Sequence, residues 1–310
     1  MRVEHGAFEA APGKSVQWDP RFRRFCLDRR LPLRGVTPTI ARYFCPRYSS
    51  SSARKGPLTA RGDARVLAAV GINGRELGSL VDSEVTQLTR LAWKHALTWD
   101  HLLPDAQGVY RGVLPVGMEA ANAAKLRHIQ LNGNLYTRRL LQALRARHLF
   151  PVASQVPVGS AKARLGTAVD LVCVHEDDLL RWADGCSLRP GARVVLVELK
   201  CGYETNYERY VGPMEAPLQR LNDSPHEQHQ VQLLLTRILF ERTFTRDGGP
   251  RVHDAFVVRV HAAGVTIVPT MHWTSEQQWE VFRVMESTCQ RTPVPAGATS
   301  HKRKRRTAAK

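Results

Sequence analysis

Three charged side chains interrupt strand-like runs of valine and leucine: Asp170 in "GTAVDLVCV", and Glu198 and Lys200 in "VVLVELK". A buried charge without a partner is costly, so a sequence keeps one only where it is paired, reaches solvent at a strand end, or holds a metal. In an alternating strand Glu198 and Lys200 share one face and Leu199 takes the other. Ion pairs at strand ends would account for any one of these residues. A divalent metal site would account for all three together.

On that reading the carboxylates of Asp170 and Glu198 and the main-chain carbonyl of Leu199 are hard oxygen donors of the kind Mg2+ or Mn2+ prefers. Lys200 beside them would orient or help deprotonate an attacking water and balance charge on a phosphodiester under attack. The chemistry these residues suit is metal-assisted phosphodiester hydrolysis. A later segment, "SPHEQHQVQLLLTRILFERTF", opens with an N-cap serine and a proline at the first helical position. At about 100° per residue, Gln228, Gln232 and Thr236 fall on one flank beside the apolar stripe of Val231, Leu234 and Ile238, where they could meet the lysine or a phosphate.

The order of these pieces resembles the PD-(D/E)xK nuclease superfamily, most closely its RecB-like and lambda-exonuclease-like branch, over roughly residues 78 to 240. "GTAVD" resembles the family's Gly-x-x-Asp strand, with Gly166 one residue farther from the acid than usual, which implies Asp170 as a metal ligand. "VELK" resembles the ExK strand, implying Glu198 as ligand and Lys200 as catalytic lysine. "QHQVQLLLT" resembles the QxxxY helix, with Gln232 as the glutamine and Thr236 where tyrosine is usual. Such enzymes carry a histidine or an acid on their first helix. "GSLVDSEV" puts Asp82 at that position with Glu84 two residues on, and an ordinary surface carboxylate is the alternative for each. His128 is a rival. The resemblance implies a restriction-endonuclease-like core, Mg2+ or Mn2+ as cofactor, and DNA as substrate.

Softer features surround this set. Tyr203, Tyr207 and Tyr210, interleaved with Arg209, follow the catalytic strand and could stack on unpaired bases or simply pack under a loop. His226 and His229 read equally as exposed histidines or as groups behind the site. Cys201 has no His/Asn pattern around it and reads as a small buried residue. No GxxxxGK[ST] or GxGxxG occurs, so nothing points to ATP or NAD.

The elements that must hold these residues follow from periodicity. "RELGSLVDSEVTQLTRLAWKHAL" and "EAANAAKLRHIQLNGNLYTRRLLQALRARHL" are helical, the second breaking at Asn132-Gly133. "FPVASQVPVG", "LGTAVDLVCVH" and "ARVVLVELK" are three valine-rich strands whose order suggests a meander. The glutamine helix, two short strands in "DAFVVRVHAAGVTIVPT" and a closing helix in "SEQQWEVFRVMEST" complete an α/β domain with a mixed sheet flanked by helices.

Charge sets the boundaries. The 310 residues carry a net charge of +17. Residues 1–65 hold 14 Lys/Arg against 5 Asp/Glu, and residues 301–310 hold 6 against none, so the remainder is nearly neutral. Residues 1–65 show no sustained period and are expected to be a basic segment with little fixed structure, 66–292 the nuclease-like domain, and 293–310 a basic tail. Basic ends suit a polyanion or a transport receptor. "HKRKRRTAAK" resembles a nuclear localisation signal, which implies an import receptor as partner and the nucleus as location. A mitochondrial presequence is the alternative for the start, against which Glu4, Glu9, Asp19 and Asp28 count. No run approaches the roughly 20 apolar residues of a membrane helix, and six cysteines without metal-like spacing suggest reduced thiols in a soluble, unsecreted chain. The two functional readings are a metal-dependent DNA nuclease, an exonuclease in replication, recombination or repair, and a non-catalytic nucleic-acid-binding protein that uses its basic ends.

Overall fold

The computed structural model describes residues 15–20, 24–28, 30–45, 74–182, 185–201, 207–208, 212–244, 251–261 and 263–291. They form a mixed α/β fold around one central sheet. Its backbone is the meander expected from the valine-rich runs: β5 (Leu149–Ser160), β6 (Leu165–His175) and β9 (Arg193–Cys201) lie antiparallel in the order β5-β6-β9. Next to β9 runs β10 (Arg251–His261) in parallel, and β11 (Gly264–Pro269) turns back along it. The polar loop between β6 and β9 carries a small hairpin of its own, β7 (Leu179–Trp182) and β8 (Gly185–Leu188).

Central strands buried on both faces read as continuous apolar runs, and β9 is buried from Val194 to Leu199. Helix α2 (Gly74–Lys94) presents Leu77, Val81, Val85, Leu88 and Ala92 at three- and four-residue spacing, all buried. The short α3 (Trp99–Leu102) follows, then α4 (Ala120–Asn132) and α5 (Leu135–Arg145), separated at the predicted Asn132-Gly133 break. Helix α6 (Pro225–Phe244) is held by its cap: Ser224 Oγ accepts from the Glu227 amide at 3.3 Å, while the Glu227 carboxylate turns back to the Asn222 amide. The closing α7 (Ser275–Arg291) buries Val281, Phe282, Met285 and Cys289. Among the described residues no helix is long and apolar enough to cross a membrane.

The expected boundary at residue 65 does not hold. Within 15–45 the chain forms β1 (Val16–Asp19), β2 (Arg24–Leu27), β3 (Leu31–Pro32), β4 (Arg34–Gly35) and α1 (Val36–Tyr43). Leu33, Val36, Ile40 and Phe44 are part of the same core as the sheet. The docking is specific: a Cβ on Gly159 or Gly166 would come within 2.7 and 2.9 Å of Leu33 Cδ1, so these two paired glycines make the slot that Leu33 fills. Strands of two to four residues and a two-turn helix are too short to leave a readable period in the sequence. The basic tail at 293–310 lies outside the described residues.

Pairing along β6 is uneven, and that shapes the site. One edge is occupied by β5 from Leu165 to His175. The other meets β4 at Leu165 and Gly166 and β9 from Leu171 to Val174. Among the described residues Thr167 to Asp170 have no strand partner on that edge, so β6 and β9 part company immediately after the Leu171/Val197 pair.

Candidate active site

Asp170 and Glu198 stand where the two strands part. Continuing the Leu171↔Val197 register by one step sets Asp170 against Glu198, so their side chains leave the sheet on the same face. The carboxylate of Asp170 takes over from the ladder: its Oδ2 accepts from the Leu199 amide at 2.9 Å. Lys200, two residues along the same face, forms an ion pair with Glu198 Oε1. Gln232 reaches down from α6 and donates to that same oxygen at 2.5 Å. Four residues singled out in the sequence thus meet at one point. Glu198 has 2% of its side chain exposed and Lys200 17%, so this is a buried pair with one end open.

The fifth, Asp82, joins them electrostatically. Its carboxyl is pushed up to about 7, first by burial and then by the charge of Asp170, with Lys200 opposing. Burial and Asp170 likewise raise Glu198 above the ordinary carboxylate range, and Lys200 again opposes. The charges of Asp170 and Lys200 act on both Asp82 and Glu198, which ties the four residues into one site. Glu84 does something else. It accepts from the Asn134 amide at 3.1 and 3.0 Å and from Thr137 Oγ1, holding the N-terminus of α5. Two residues on a helix lie about 200° apart, so Asp82 and Glu84 could never have faced the same site.

The remaining expectations sort cleanly. Gln228 donates to Asp223 Oδ1 at 2.9 Å and so sits at the N-terminal approach to α6 rather than on Glu198. The polar flank of α6 is no solvated face, since His229, Gln230, Gln232 and Thr236 are all buried. Thr236, where the resembled family has tyrosine, has no hydrogen-bond partner for its buried Oγ1 among the described residues. His128 is exposed and contacts Asn132. Tyr207 is 3% exposed and enclosed, its ring 5.4 Å from His226 and 5.6 Å from His229, with the Arg259 guanidinium 4.0 Å over it. No face of that ring is left for a base. Burial and the neighbouring Lys200 hold His229 well below its usual value. Tyr203, Arg209 and Tyr210 lie outside the described residues.

Several groups at the site were not singled out in the sequence. Arg259 is the Cα partner of Lys200 across β9 and β10, and as a charge inside "AFVVRVH" it carried the same signal as Asp170. Gln155 Nε2 lies 3.4 Å from Asp170 Oδ1. Ser154 Oγ donates to the Asp170 carbonyl at 2.9 Å and meets Thr86 Oγ1, one turn along α2 from Asp82, also at 2.9 Å. These side chains link the helix that bears Asp82 to the strand that bears Asp170.

Hard oxygen donors concentrated around raised carboxyls suit a divalent cation, whose charge would relieve their repulsion. Among the described residues, however, no three His, Cys, Asp or Glu side chains are drawn together into a ligand cluster. Lys200 and Gln232 both meet the same oxygen of Glu198. Compared with protein-family models and with curated proteins, the chain matches none.

Proposed function

We propose that the protein is a Mg2+- or Mn2+-dependent nuclease with a restriction-endonuclease-like core of the PD-(D/E)xK kind, hydrolysing phosphodiester bonds in DNA. One observation carries this: Asp170 and Glu198 face each other where β6 and β9 diverge, and Lys200 and Gln232 converge on Glu198 from a strand and a helix. An ion pair kept only for stability would need neither the second carboxylate nor the glutamine.

Asp170, Glu198 and the Leu199 carbonyl, with Asp82 from α2, are the residues that would hold the cation. When bound, a divalent metal supplies Lewis acidity toward water and toward the phosphate oxygens. The chain supplies the rest. The Lys200 ammonium, paired with Glu198 and partly open to solvent, would orient water or donate a hydrogen bond beside the phosphate. Gln232, donating to Glu198, would keep that carboxylate aimed. The basic ends suit the phosphate backbone, and "HKRKRRTAAK" suits a nuclear import receptor.

The test offers end-labelled single- and double-stranded DNA and RNA to purified protein with Mg2+ or Mn2+, beside Asp170→Ala and Lys200→Ala. Cleavage that needs the metal and vanishes in both variants, with folding retained by circular dichroism, is the expected result. Undiminished cleavage in both refutes the proposal. Binding without cleavage, lost on removing the basic ends, would make the chain a nucleic-acid-binding protein instead.

A further inference from the structure

Gln155 is the one residue of β5 with a left-handed backbone, at φ +52°, in the middle of a strand. For a residue with a side chain this conformation is disfavoured, and glycine or asparagine would meet it more easily. The register of β5 against β6 shifts between Pro151 and Ala153, upstream of Gln155. The register runs unshifted from Ser154↔Leu171 to Val156↔Val169, with no extra residue to absorb. The position between those pairs sets Gln155 against Asp170, just as the β6/β9 register sets Asp170 against Glu198. Gln155, Asp170 and Glu198 therefore form one row across three neighbouring strands, on one face.

The glutamine amide lies 3.4 Å from Asp170 Oδ1, while Oδ2 accepts from the Leu199 amide at 2.9 Å. A carboxylate has two lone pairs on each oxygen. Each oxygen of Asp170 is thus met by a donor of the protein, which fixes the plane of the group. Strain held in place beside a site is a sign of use, because a relaxed residue was available at no loss to the sheet.

We infer that Gln155 is a positioning residue for the metal ligand Asp170, its left-handed backbone being the means by which a strand residue aims an amide across at the carboxylate. This rests on the nuclease reading above. The role belongs to the amide, and the strain is its cost.

The test separates the two. Gln155→Gly and Gln155→Asn both accept the left-handed backbone, and both lack the amide at its present reach. Full-length wild type, both variants and Asp170→Ala are titrated with Mn2+ by calorimetry and electron paramagnetic resonance, and melted without metal. The expected result is a midpoint equal to or above wild type for Gln155→Gly, with Mn2+ affinity weakened about tenfold or more in both variants. Mn2+ affinity within about twofold of wild type in Gln155→Gly overturns the inference, as does weakened binding accompanied by a lowered melting midpoint. If Asp170→Ala abolishes binding while the Gln155 variants do not, this inference fails and the nuclease reading stands. If wild type binds no Mn2+, both fall.

Discussion

Replacing Lys200 with methionine tests whether Glu198 is the buried charge that the lysine serves. Glu198 exposes 2% of its side chain and is met by Lys200 and Gln232 on one oxygen. Removing one partner of a buried ion pair costs about 3–5 kcal/mol when the remaining charge has nowhere to go. Glu198 has an escape, because burial and Asp170 already raise its carboxyl above the usual range and it can take up a proton. Its proton is bound more tightly in the folded chain than in the unfolded one, so the folded state loses stability as pH rises from the unfolded value through the folded one. Lys200 opposes that rise, and without it the folded value climbs further. The deficit of Lys200→Met therefore opens on the alkaline side, at a rate of up to about 1.4 kcal/mol per pH unit. Guanidinium unfolding in a metal-free buffer, followed by tryptophan fluorescence, should give a loss of about 1 kcal/mol near pH 6, from the missing contacts alone. Near pH 9 it should approach about 3 kcal/mol or more. The double variant Glu198→Gln/Lys200→Met should return to within about 1 kcal/mol of wild type at both. A deficit equal at the two pH values, or larger in acid, would refute the reasoning.

Two further outcomes test how the frame is built. Glu84→Ala should cost about 1–2 kcal/mol in chemical unfolding, since it frees the Asn134 amide and Thr137 hydroxyl at the start of α5, and should leave Mn2+ binding unchanged; loss of metal binding would mean the wrong acid on α2 has been assigned to the site. Phe44→Ala should cost about 3–5 kcal/mol, as expected for a fully buried aromatic, and deletion of residues 1–45 should abolish cooperative unfolding; a deleted chain that melts like wild type would show that the first strands and α1 are accessory.

What the sequence showed and what it hid divide along physical lines. Long elements with a strong period were readable: the three valine-rich strands, the buried stripe of α2, the break at Asn132-Gly133 and the capped start of α6. Charges inside apolar runs were readable too, which is why Asp170, Glu198 and Lys200 stood out and the structure brings them together. Arg259 carried the same mark and was passed over. The elements β1 to β4 and α1 were hidden because each is too short to show a period, and Leu33 among them docks into a slot supplied by Gly159 and Gly166, more than a hundred residues away. Gln155 was hidden for another reason: a lone glutamine in "VASQVPV" looks like the exposed face of any strand, and only its register opposite Asp170 gives it meaning. The polar flank of α6 was located correctly by helical geometry, yet its burial depended on packing against the sheet. A helical projection finds which residues share a side and says nothing of what covers it.

The divergence of β6 and β9 is what makes the site chemically affordable. Within a closed ladder, Asp170 and Glu198 would sit opposite each other as like charges on a packed face, an arrangement that destabilises paired strands. Where the strands part, the Leu199 amide loses its ladder partner and finds the Asp170 carboxylate, so the break in pairing satisfies the acid that occupies it. Lys200, one step farther along β9, is the first residue on that face able to reach both Glu198 and the opening. The β5 edge of β6 is paired on both sides of Asp170 and carries Ser154 and Gln155, which hold Asp170 by its carbonyl and its carboxylate. One edge of β6 is thus met by β5 and the other is open, and Asp170 stands at the transition. Closing the opening by extending the β6/β9 ladder would displace the acids, and loosening the β5 edge would leave Asp170 without a fixed plane. The site requires both.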